Sequence, residues 1–160
     1  KIAAKRNFNR LAKYFDDLPP GKIFQTPNEV LNEFNESPEK NQMPTNNIYI
    51  KRIYDHPNQS GEYRILIDRL WPRGVSKEEA ALDMWLKDIA PSPALRVWFG
   101  HDPKKFEEFS VRYKEELDEN EAVEIILRLA DVHSSLILLY AAKDLNINHA
   151  VVLKEYLDNF

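Results

Sequence analysis

Cysteine is absent from the 160 residues, which removes disulfides, thiolate nucleophiles and cysteine metal sites together. Glycine is scarce as well. Four glycines do not furnish a glycine-rich phosphate loop, and neither GxGxxG nor GxxxxGK[ST] occurs. GxSxG is missing, so the serine-hydrolase elbow lacks its strained turn. No apolar run reaches the roughly eighteen residues that span a bilayer, and no signal-peptide pattern is present. The expectation is a cytoplasmic protein with no membrane partner. The four histidines make no HxxxH pair, so neither a metal site nor a cofactor is expected. Charge is nearly balanced: 22 Lys+Arg against 26 Asp+Glu leave a net −4. That balance argues against a nonspecific grip on nucleic acid.

What is present divides near Asn46. Residues 1–46 hold five of the ten prolines and many asparagines, with apolar residues in two short bursts separated by "LPPGK". They read as an N-terminal extension of two short helices and a linker, the second helix capped by Thr26 with Pro27 at its first position. Residues 47–160 read as one α/β domain. "NIYIKRIYD" and "EYRILIDRL" are strands, and "SSLILLYAA", apolar on both faces, is a central strand of a covered sheet. "SKEE" is a capping box that predicts a helix from about Lys77 through Leu86. Asp102 and Pro103 start a second helix with Phe106, Phe109 and Tyr113 on one face. "NEAVEIILRLADV" turns Val123, Ile126, Leu127 and Ala130 inward, and "NHAVVLKEYLDNF" closes the chain. The predicted architecture is a small α/β, three-layer-like sandwich with a mainly parallel sheet and at least four helices.

In such sheets ligands bind outside the carboxyl ends of strands, and three polar motifs fall at candidate corners. In "DRLWPRGVS", Arg69 and Arg73 stand beside Gly74 and the amides that open the Ser76 helix, a combination suited to a phosphate or carboxylate. Trp71 belongs to the same candidate binding set. The plainer alternative pairs Asp68 with one arginine and makes Trp71-Pro72 a hydrophobic plug. In "RVWFGHDP", Gly100 permits a left-handed turn and Asp102 caps a helix. His101 is then left on a loop as a candidate acid or base. In "LLYAAKDLNINHAVVL", Lys143 offers charge to an anion, Asp144 a general base, and His149 sits at a helix N-terminus. Its alternative has Asn148 capping the helix, Asp144 closing an Asx turn and Lys143 in solvent. Trp85 and Trp98 read as core residues of helical faces.

Taken together, "YRILIDRLWPRGVSKEEAALDMWLKDIAPSPALRVWFGHDP", "FSVRYKEEL" and "LILLYAAKDLNINHAVVLKEYL" resemble the YeaO-like proteins of the domain-of-unknown-function family 488, across about residues 47–160. The resemblance implies a small bacterial cytoplasmic α/β protein. It also implies that Arg69, Trp71, Pro72, Arg73, His101, Asp102, Lys143, Asp144 and His149 match the family's signature positions.

The functional expectation is a small enzyme or enzyme-like domain acting on a nucleotide or another anionic metabolite. Asp144 and His101 are its catalytic candidates, and Arg69, Trp71, Arg73, Lys143 and His149 its binding residues. The alternative is a non-catalytic ligand-sensing or protein-interaction module. Whether the chain is catalytic at all, and its oligomeric state, are left open by the residues alone.

Overall fold

The computed structural model describes residues 47–160. The two helices and linker expected within residues 1–46 lie outside that range. Four strands, β1 (Ile48–Arg52), β2 (Tyr63–Leu66), β3 (Met84–Trp85) and β4 (Leu136–Tyr140), form one sheet in the order β1-β4-β2-β3. Every pairing is parallel. The register sets Ile48 opposite Leu136, Leu66 opposite Leu139 and Leu66 opposite Trp85.

Burial follows from that order. All of β4, "LILLY", is buried between two neighbours, as a strand apolar on both faces requires. Each leucine or isoleucine removed from water there contributes about 1.5–3 kcal/mol. At the edge, β1 buries Ile48 and exposes Tyr49 and Lys51, the alternation of a strand covered on one face.

Five helices occupy the described residues: α1 (Lys77–Ala80), α2 (Pro93–Phe99), α3 (Phe106–Asp118), α4 (Ala122–Val132) and α5 (His149–Leu157). α3 buries Phe109, Tyr113 and Leu117, one residue per turn on a single face. The Phe109 ring stacks on Phe99 of α2 at 4.1 Å. α4 buries Val123, Ile126 and Leu127, while Ala130 is half-buried. α5 packs along β1 and β4. On one sheet face, Leu66, Ile137 and Leu139 pack with Ile53 and with Ala80 of α1, and Trp71, Val75, Leu82 and Trp85 close over them.

The helix expected over 77–86 is shorter. The Ser76 capping box forms, but α1 stops at Ala80 because Ala81 turns left-handed at φ 45°. The chain then runs along β2. Asp83 accepts the Arg64 amide at 2.8 Å, and the Leu86 amide donates to Leu66 at 2.8 Å. Tertiary pairing with β2 outweighs the helical preference of "AALDMWL", and Trp85 sits in an edge strand rather than on a helix. That strand, with two residues, is too short to carry a period of its own.

Beside β3 lies a buried cation. Arg64 is 1% exposed and donates Nε and Nη2 to the Ala80 carbonyl at 3.2 and 3.1 Å, and Nη2 to the His56 carbonyl. Glu62 lies 3.5 Å from Nη1. Burial lowers the guanidinium pKa, and the Glu62 carboxylate partly restores it. This arginine fastens α1 and the β1–β2 connection to the sheet, and no local pattern in the sequence marks it.

Candidate functional site

Because β1, β4 and β2 are adjacent and parallel, their carboxyl ends share one edge of the sheet. The loops leaving β2 and β4 are joined there by direct bonds. The Ile67 amide continues the ladder to Leu139 at 3.0 Å, and one carboxylate oxygen of Asp68 accepts the Ala141 amide at 2.9 Å. The other oxygen lies 3.0 Å from His149 Nε2, with both side chains 15% exposed. His149 Nε2 also faces the Ile67 carbonyl at 3.3 Å. A ring nitrogen between two oxygen acceptors carries hydrogen; the Ile67 carbonyl takes that hydrogen bond, while the Asp68 oxygen stands at ion-pair distance without one.

The sequence-level alternative paired Asp68 with an arginine. Its partner is instead His149, the first residue of α5. Asn148 caps that helix by accepting the Val151 amide at 3.1 Å and donates to the Asp144 carbonyl at 2.7 Å. The Asp144 carboxylate accepts the amides of Asn146 at 2.8 Å and Ile147 at 2.9 Å. These two bonds hold its pKa below the ordinary aspartate value, which makes it a poor proton acceptor near neutrality. Lys143 is exposed.

Arg69 points toward the segment before α2. Its Nη2 donates to the carbonyls of Ala90 at 3.3 Å and Pro91 at 3.5 Å, and Nη1 lies 3.9 Å from Asp88. Its Nε is buried with no hydrogen-bond partner. Neighbouring carbonyls of the segment are held similarly. Asn120 Nδ2 donates to Asp88 at 2.8 Å, and the Tyr113 hydroxyl to Ile89 at 2.7 Å. Glu116 then accepts the amide and hydroxyl of Ser92. Complete burial, aided by the nearby Glu116 and Asp68 carboxylates, pushes the Tyr113 phenol well above its usual pKa. Tyr113 is therefore a neutral donor.

The remaining sequence candidates are placed as follows. Trp71 donates its indole N–H to the Val75 carbonyl at 2.7 Å and meets the Trp85 ring edge-on at 5.4 Å, above a buried Pro72. Arg73 is exposed, and its carbonyl accepts the Tyr54 hydroxyl at 2.9 Å. His101 follows Gly100 in the left-handed region, with φ 58° after 52°. It is exposed, and its ring lies 5.7 Å from Phe99. Among the described residues no hydrogen bond or ion pair joins His101 to Asp68, Arg69 or His149. A row of rings separates them instead, from Phe99 through Phe109 and Tyr113 to His149. Asp102 caps the following turn through the Lys104 amide at 3.0 Å. Two of the three motifs are thus joined by direct bonds. No His, Asp and Glu cluster among the described residues is arranged to hold a metal ion.

Tyr113, Ser92 and Glu116 escaped the sequence reading. Tyr113 bore only the signal of an apolar helix face, and its hydroxyl partner lies on another segment.

Comparison with known proteins gives a consistent assignment. The family model DUF488-N3i, described as the inactive DUF488-N3 subclade, matches residues 47–160. "Uncharacterized protein YeaO" of Escherichia coli strain K12 is 46% identical over 113 residues, covering 69% of this chain and 96% of that protein. "Uncharacterized protein Rv3073c" of Mycobacterium tuberculosis strain H37Rv is 34% identical over 111 residues, covering 69% and 93%. No solved structure matches. With four parallel strands, "DRLWPRG" at the end of β2 and "NHAVVL" opening α5, the chain belongs to the DUF488-N3i family of YeaO-like proteins.

Proposed function

We propose that the domain is a non-catalytic recognition module that takes an anionic group at the carboxyl edge of its sheet. Arg73 and Lys143 supply the positive charge, while the Arg69 guanidinium is held by the Ala90 and Pro91 carbonyls. The observation that carries this reading is the Asp68 carboxylate, which accepts the Ala141 amide and stands 3.0 Å from His149. It draws the arginine loop and the lysine loop to one end of the sheet, where ligands of parallel α/β folds collect.

Two features favour recognition over turnover. Asp144, the leading base of the sequence reading, is committed to two backbone amides that keep it ionised. The family is also described as an inactive subclade. A second reading has one observation behind it: a histidine 3.0 Å from a carboxylate has the spacing of an acid–base pair, so an enzyme using His149 for proton transfer is the alternative.

The test is thermal denaturation of the full chain with inorganic phosphate, citrate, nucleoside monophosphates and sugar phosphates. A rise in Tm with one of them, absent in Arg73→Ala and Lys143→Ala variants whose unliganded Tm is unchanged, supports recognition. Chemical conversion of the bound compound, lost in His149→Gln, would establish the enzyme reading instead.

A further inference from the structure

We draw no further inference here: the strongest candidate, the side-chain cluster of Asp68, Arg69 and His149 at the carboxyl ends of β2 and β4, in which Asp68 Oδ1 and Arg69 Nε are buried without a hydrogen-bond partner among the described residues, belongs to the site already described.

Discussion

Asp68, two residues past the end of β2, and His149, the first residue of α5, meet at 3.0 Å. The contact closes the carboxyl edge of the sheet. With the Ala141 amide on its second oxygen, the Asp68 carboxylate serves as the junction between the loops that follow β2 and β4.

Removing that junction should therefore cost stability. In Asp68→Ala the Ala141 amide loses its acceptor in a largely buried place, while His149 keeps the Ile67 carbonyl, a loss of about 2 kcal/mol. Asp68→Asn keeps an acceptor for the amide and should lose about half as much. Urea unfolding curves of the three proteins check this order; equal stability of Asp68→Ala and the parent chain would contradict it.

Arg64 should be the most sensitive charged position. Arg64→Ala leaves the Ala80 and His56 carbonyls without their donors and removes the guanidinium beside Glu62, which keeps the His56 ring, a loss of about 3 kcal/mol in this buried place. Lysine lacks the fork that reaches Ala80 and His56 together, so Arg64→Lys should recover only part of the loss. Equilibrium denaturation measures both.

The Tyr113 hydroxyl is expected to act locally. Tyr113→Phe retains the buried ring but orphans the Ile89 carbonyl, at a cost of about 1–2 kcal/mol. Hydrogen exchange should accelerate at Ile89 and Ala90, whose amides bond within this segment, more than at the β4 amides. Uniform acceleration across the sheet would speak against a local clamp.

Two aspartates should pull the pH dependence in opposite directions. Asp144 has its native pKa lowered by the Asn146 and Ile147 amides. Its stabilisation is present above the unfolded-state pKa and fades as pH falls through the lower native value. Asp83 has its pKa raised, chiefly by burial, against the opposing Arg64 amide bond. Its contribution is complete below the unfolded-state pKa and is lost as pH rises through the higher native value. Relative to the parent chain, Asp144→Ala should flatten the acid limb of Tm against pH. Asp83→Asn should remove the decline above it. Profiles unchanged by both substitutions would refute the assignment.

Much of this molecule is legible without coordinates, and the legible features are local ones. The Ser76 capping box, the Asp102 and Asn148 caps and the Asp144 turn each involve groups a few residues apart. The apolar run of β4 announces a central strand because no other placement hides both of its faces. The helix expected through Leu86 went astray because β3 exists only by pairing with β2, whose tertiary bonds override a local helical pattern. Two of the three polar corners are joined by bonds, as the sequence suggested for all three, because strand order β1-β4-β2 brings their loops together. His101 lies beyond a row of aromatic rings, at the far end of α2.

By itself the sequence determined an α/β domain without disulfides or a glycine-rich loop, its caps, its central strand and the residues offered at loop ends. These follow from composition, periodicity and short-range hydrogen bonding. Tertiary structure alone decided that Asp68 pairs with His149 rather than with an arginine, that Arg64 is interior, and that Arg69 clasps the Ala90 and Pro91 carbonyls. Each of those choices depends on which strands become neighbours, and strand adjacency is set by the whole chain's burial of apolar surface rather than by any short stretch of it.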